Sequence, residues 1–165
     1  MAPRAVPRPD SVVWDVGAGT GSVSAACAMA AWRGQVWAVE KDADALELIR
    51  QNRTALGLSN LRIAAGEAPG ALEALPAPDS VFVGGSSGSM AGIFRIALQK
   101  NPAVRFCVTA VSLESFSDAL QCIKEFGLKK VDVTQISAAQ SKTLGSYHMM
   151  MGQNPVWILS GEGSE

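Results

Sequence analysis

Short runs of apolar, often β-branched residues alternate with segments of helical period along the whole of this chain, and that alternation leaves few architectures open. Residues 11–16, 35–40, 61–65, 80–83, 104–110, 130–136 and 155–160 read as strands. Residues 22–32, rich in alanine, suit close packing on a sheet. Residues 42–56 read as a helix capped by Asp42 and stopped by Gly57; residues 113–126 repeat that logic, with Ser112 or Ser115 as cap and Gly127 as stop. Strands separated by helices predict a sheet of parallel strands covered on both faces. The pattern breaks once. Residues 137–152 show no helical period, being polar at first and then running into Tyr147-His148-Met149-Met150-Met151, so they read as a loop. A last strand reached without a crossover helix can lie antiparallel, as a hairpin partner of its predecessor. The expected fold is therefore α/β: a seven-stranded, mostly parallel sheet with an antiparallel last strand.

A length of 165 residues supports one core, assigned to residues 11–160, with a proline-rich stretch 1–10 and a tail 161–165 read as flexible ends. The chain is 48% apolar and 18% charged with a formal net charge of −1, which fits a globular protein and offers no basic excess for nucleic acid. No apolar stretch approaches the length of a membrane span, and the first ten residues lack the apolar run of a secretory signal. Cys27, Cys107 and Cys122 are odd in number, far apart and without a second ligand at metal spacing, and His148 is the single histidine. They read as small core residues of a protein in a reducing, cytoplasmic setting, with no metal site.

Asp15-Val16-Gly17-Ala18-Gly19-Thr20-Gly21 follows an apolar strand and opens a helix, the setting that a nucleotide-type loop requires. Glycine lets the backbone turn sharply and approach a ligand with no Cβ in the way. A dinucleotide fingerprint would space its glycines G-x-G-x-x-G to aim a helix at a pyrophosphate, whereas here they fall at every second position. S-adenosylmethionine (SAM) has no phosphate; it has an amino-acid end, for whose ammonium group Asp15 is suited directly or through water. Glu40, at the end of the second strand, can accept from both ribose hydroxyls, with Lys41 beside it. Glu67 and Ala68, after the third strand, can meet the adenine edge. The cofactor set is thus Asp15, Gly17, Ala18, Gly19, Thr20, Gly21, Glu40, Lys41, Glu67, Ala68 and Gly84.

Taken together, these residues resemble a family of the cobalamin pathway: the SAM-dependent enzymes that methylate C15 of a precorrin and decarboxylate its ring C acetate. This is the CbiT type, also found as the C-terminal half of CobL-type fused enzymes. Residues 13–24 look like that family's cofactor loop. Val39-Glu40-Lys41, Gly66-Glu67-Ala68-Pro69, Val81-Phe82-Val83-Gly84-Gly85-Ser86-Ser87-Gly88 and the ending Tyr147 to Val156 follow in the family's order. The resemblance implies a Rossmann-like class I SAM-dependent methyltransferase fold, a reduced tetrapyrrole substrate and a homotetramer. Two departures stand out. Family members usually have a helical segment ahead of the first strand, so the chain is expected to be a fragment or to have a more open pocket. Thr109 stands where an asparagine is common.

Methyl transfer is an in-line displacement on a carbon already activated by the sulfonium, so the protein is expected mainly to position the reactants and exclude water. Enzymes that methylate amino groups of bases often have an Asn- or Asp-Pro-Pro-aromatic motif after the fourth strand. The side-chain-poor turn Gly84-Gly85-Ser86-Ser87-Gly88 leaves room instead for a broad, flat substrate. Its carboxylates call for cations and hydroxyl or backbone donors, for which Gly85, Ser86, Ser87, Thr109, Lys142, Arg95 and Ser141 are candidates. Tyr147 and His148 are the candidate catalytic residues, placed to donate a hydrogen bond or relay a proton; Met149–Met151 can pack over the macrocycle or serve as core or interface. Two competing readings remain: a methyltransferase acting on another small molecule or a protein, and a SAM-binding subunit without independent activity.

Overall fold

The computed structural model describes residues 6–86 and 88–164. The elements run β1 (Val12–Val16), α1 (Ser22–Ala30), β2 (Gln35–Glu40), α2 (Ala43–Ala55), β3 (Leu61–Ala65), β4 (Ser80–Val83), α3 (Met90–Lys100), β5 (Arg105–Ala110), α4 (Leu113–Glu125), β6 (Lys129–Ile136), β7 (Ala139–Leu144), β8 (Tyr147–Gly152) and β9 (Val156–Glu162). Seven of these strands form one sheet in the order β3-β2-β1-β4-β5-β9-β6. The pairs from β3 to β5 are parallel, and β9 lies antiparallel to both β5 and β6. The expected α/β architecture with its antiparallel last strand is the one observed.

Capping explains where the helices begin. Asp42 Oδ1 accepts from the Ala45 N–H at 2.8 Å and Gly57 ends the helix at φ 64°; Ser112 Oγ accepts from the Ser115 N–H at 3.1 Å and Gly127 ends that helix at φ 64°. α3 has no such signature, since Ser89 at its start makes no capping bond of this kind, and it was not singled out in sequence. Its stripe of Met90, Ile93, Phe94 and Ala97 packs with α4 onto one face of the sheet, against Val81, Val83, Phe106 and Val108. On the other face Ala25 and Ala28 of α1 and Ile49 of α2 cover Val13, Val36 and Ala38.

Three boundaries differ from expectation. The stretch 137–152, read as a loop, is a two-stranded antiparallel ribbon, β7 and β8, closing at Gly145 with φ 62°. Methionine and polar residues gave it no strand signal in sequence. β9 therefore follows the ribbon rather than a simple hairpin from β6, and it inserts between β5 and β6. It also runs to Glu162, into the segment read as a flexible tail. At the other end, residues 7–11 are tied down: Pro7 is buried, the Ser11 N–H donates to the Arg8 carbonyl at 3.1 Å, and the Arg33 N–H donates to the Pro9 carbonyl at 2.8 Å.

Candidate active site

The carboxyl ends of β1, β2, β3 and β4 meet at one cleft, lined by Val16, Gly17, Val39, Glu40, Lys41, Gly66, Glu67, Ala68, Gly85 and Ser86. Backbone hydrogen bonds lock these ends to one another. The Gly17 and Ala18 N–H groups donate to the Val39 carbonyl at 3.0 and 3.1 Å, Gly84 and Gly85 donate to the Val16 carbonyl at 3.0 and 3.4 Å, and Gly66 donates to the Glu40 carbonyl at 2.9 Å. Gly17, at φ 72°, sits so close to the β4 turn that a Cβ there would lie 2.5 Å from the Gly85 carbonyl oxygen. Two strand-end turns thus touch backbone to backbone, which only glycine allows.

Glu40 is held from several directions. Its Oε2 accepts from the Gly19 N–H at 2.8 Å, and its Oε1 accepts from Lys41 at 2.8 Å and Asp42 at 3.0 Å. Partial burial works against its charge, but the three backbone donors outweigh it and hold the carboxyl below the usual carboxylate value. The anion is therefore fixed, and carboxylate lone pairs remain for further donors. Lys41 Nζ donates to Glu67 Oε1 at 2.6 Å across the rim; that bond holds the ammonium above its ordinary pKa.

Asp15 lies at the end of β1, only 1% exposed. Burial pushes its pKa up from 3.8 to about 6; hydrogen bonds from the Ser24 hydroxyl and backbone pull against that rise, and the Glu40 charge adds to it. Ser24 Oγ donates to Asp15 Oδ2, while Oδ1 is buried with no partner among the described residues. A buried acceptor without a donor is costly unless something completes it, and an ammonium group would do so. The acceptor, the glycine cradle and the fixed Glu40 carboxylate together suit an amino-acid end and a ribose.

Not every residue expected at the site is found there. Ala18, Gly19, Thr20 and Gly21 form the loop behind the cleft; Thr20 is exposed, with its carbonyl accepting from Asn52 at 2.9 Å, and a Cβ on Gly21 would lie 2.8 Å from Ile49. Gly84 abuts the Gly17 carbonyl. Thr109 lines not the strand-end cleft but an apolar cavity of about 270 Å³ beside Cys27 and Cys107, and its hydroxyl donates to the Val83 carbonyl at 3.4 Å. Burial pushes those two thiols up to about 12 and 11. Arg95 is exposed on α3. Ser87 lies outside the described residues. Ser141, Lys142, Tyr147 and His148 are all exposed on the ribbon. Tyr147 faces Leu144 across the ribbon and His148 faces Thr143. Successive strand residues point to opposite faces, so Tyr147 and His148 cannot both aim at one substrate held against the ribbon.

Three contributors were missed in sequence. Gly66, at φ 149°, lines the cleft, and its place directly after a strand was the available signal. Ser24 holds Asp15 from nine residues away, and Ser89 donates to the Ala68 carbonyl at 3.1 Å, clamping the loop after β3 to the start of α3. Neither had a signal of its own.

The model of the precorrin methyltransferase domain family matches residues 3–161. A probable cobalt-precorrin-6B C(15)-methyltransferase (decarboxylating) of Pyrobaculum calidifontis is 36% identical over 155 residues, covering 93% of this chain and 79% of the relative. Among solved structures, a precorrin-6y C5,15-methyltransferase from Geobacter metallireducens superposes with a TM-score of 0.86 at 30% identity, over 94% of this chain and 82% of that one. The precorrin 8W decarboxylase of Methanobacterium thermoautotrophicum does so at 0.83 and 34% identity, over 94% and 83%. A strand-end glycine cradle, a sheet in this order and a match that spans nearly the whole sequence lead to one conclusion: the chain belongs to the precorrin methyltransferase domain family.

Proposed function

We propose that the chain transfers a methyl group from SAM to C15 of precorrin-6B or its cobalt form and promotes loss of CO2 from the ring C acetate, in cobalamin biosynthesis. One observation carries this reading beyond family membership. The cleft that offers Glu40 and Glu67 to a nucleoside opens onto Gly85 and Ser86, so cofactor and a flat substrate can share one mouth.

Bound SAM supplies an electrophilic methyl carbon on a sulfonium. The protein's own groups do the rest. Glu40 would accept from the ribose hydroxyls, Asp15 would receive the ammonium end directly or through water, and Glu67 with the Ala68 backbone would meet the adenine edge. The touching Gly17 and Gly84-Gly85 turns would hold the cofactor side and the substrate side of the cleft against each other, the positioning that an in-line displacement needs. The bridging carbon of a reduced tetrapyrrole is electron-rich, as an enamine is. The electron pair released with CO2 enters the conjugated ring, so no strong base is asked of the protein.

Assembly is part of the proposal. β6, β7 and β8 are exposed throughout, and the ribbon's methionines lie in the open, which supports burial between copies in a homotetramer. Three free cysteines support a cytoplasmic setting. The test is to incubate the protein with SAM and precorrin-6B, with and without cobalt, and weigh the product. Gain of one methyl with loss of one CO2 is the expected result; SAM binding without any mass change in the tetrapyrrole overturns it in favour of a non-catalytic subunit.

A further inference from the structure

The cleft has a floor of strand ends but little to cover it. From Gly84 to Ser89 the sequence offers only glycine and serine. The nearest cation on the rim, Lys41, is bonded to Glu67, and the other charged rim residue is Glu40. A substrate with many carboxylates would find acidic groups there and, among the described residues, no apolar roof.

The β7–β8 ribbon has the complementary chemistry. Its register places Gln140, Lys142, Leu144, Tyr147, Met149 and Met151 on one face. That face combines a cation, a phenol and a row of flexible apolar side chains, suited to a flat macrocycle edged with carboxylates. Within its own chain the ribbon stands off. It leaves the carboxyl edge of the sheet from β6, the edge strand three places from β4, and extends about 20 Å from its root to the Leu144–Tyr147 pair. Tyr147 is 73% exposed and Met150 66%. A two-stranded ribbon alone is marginally stable in water. The apolar surface exposed by Val131, Val133, Ile136, Leu144, Tyr147 and Met149–Met151, divided between β6 and the two faces of the ribbon, is on the order of 800 Å², one partner's share of a standard interface.

We propose that the ribbon of a second copy of this chain closes the substrate side of the cleft, laying the Lys142–Tyr147–Met149 face over the bound macrocycle. The identity of that macrocycle rests on the function proposed above; the exchange of ribbons between copies does not. In this arrangement the site is incomplete in a single chain. The opposite face, with His148 and Met150, is left for contact with protein.

The test separates the two ideas. Two differently tagged copies, one with Tyr147→Cys and one with Ser86→Cys, are co-expressed, purified as mixed assemblies and treated with a short thiol-to-thiol crosslinker. The expected product joins the two tags, at a yield about tenfold above that from either variant alone, as a symmetric exchange of surfaces requires. Absence of that product, or a crosslink formed only within one chain when both cysteines share it, overturns the proposal. This readout needs no turnover. Where the wild type does turn over precorrin-6B, Glu40→Ala and Lys142→Ala/Tyr147→Ala copies are co-expressed. Each alone should be nearly inactive, and random mixing should restore about a quarter of wild-type activity, because one site in four combines an intact cleft with an intact ribbon. Activity no greater than the sum of the two parents overturns the proposal. A wild type inert on precorrin-6B sinks the substrate reading alone, and the crosslink still decides the exchange.

Discussion

The two ends of this sheet are built on opposite terms. From β3 to β4, every strand end at the cleft is tied to its neighbour: Gly17 to Val39, Gly84 to Val16, Gly66 to Glu40, and Glu40 back to Gly19. From β6 through β8 every residue is exposed. The strand-end half is preorganised within one chain, since donors and acceptors fixed before binding lose little freedom when a ligand arrives. The ribbon half presents apolar residues that none of the described residues of the chain covers. The difference teaches that preorganisation here is local, and that the second half depends on what docks against it.

The largest effect expected from breaking this contrast comes from a matched pair of glycines. Gly17 and Gly145 both have positive φ, 72° and 62°, but a Cβ on Gly17 meets the Gly85 backbone whereas one on Gly145 meets nothing within 4 Å. Gly17→Ala adds left-handed strain to a backbone overlap, and should cost about 4 kcal/mol of stability and abolish SAM binding. Gly145→Ala should cost about 1 kcal/mol and leave SAM binding intact. Thermal unfolding and titration calorimetry measure both. Equal losses would show that the two halves are not built differently.

Asp15 comes next. Its carboxyl titrates near 6 in the fold against 3.8 ordinarily, so between those values the native state holds a proton that the unfolded chain has released. Stability therefore falls as pH rises through that window, and the full cost, about 3 kcal/mol, is present above pH 6. Asp15→Asn removes the cost. It should stabilise the ligand-free protein by about 2 kcal/mol at pH 8, allowing for a weaker bond to Ser24, and do nothing of the kind below pH 4. SAM affinity should fall in the same variant, and in the wild type it should rise as pH passes 6. Urea unfolding at pH 4 and pH 8 checks the sign; equal effects at both would remove burial of the charge as the cause. Glu40→Ala, which loses an anion already fixed by backbone donors, should weaken SAM binding about 30-fold in the same titration.

How far the sequence exposed each half follows the same division. The alternation of strands and helices, the Asp42 and Ser112 caps, and the residues Gly17, Glu40, Glu67 and Gly85 were legible because local chemistry dictates them: a cap needs an acceptor, and a tight turn needs glycine. α3 was harder, since its apolar stripe is unaccompanied by a capping bond. Ser24 was invisible because its role is a contact nine residues away in a fold not yet known. The ribbon reads as a loop in sequence because its methionines and mixed polar residues show no alternation of apolar and polar positions. Thr109, a substrate candidate at a position where the family commonly has asparagine, lines the cavity beside Cys27 rather than the strand-end cleft, a placement that no local pattern reveals.

The smallest effect is the sharpest test of the ribbon. Adjacent positions on β8 put Tyr147 opposite Leu144 and His148 opposite Thr143, on different faces. Both are exposed at the far end from the sheet, so neither replacement should disturb folding, and any change reports what the face touches. Tyr147→Phe keeps the ring and removes one hydroxyl, which should raise KM for the tetrapyrrole about fivefold with little change in kcat, the mark of lost binding rather than lost chemistry. His148→Gln should leave kcat, KM and the pH profile within about twofold of wild type, because its face lies away from the substrate. If His148→Gln lowers kcat and shifts the pH profile while Tyr147→Phe is silent, the faces are reversed. The proton relay then belongs to the histidine, and the methionine row beside Tyr147 is left to contacts between copies.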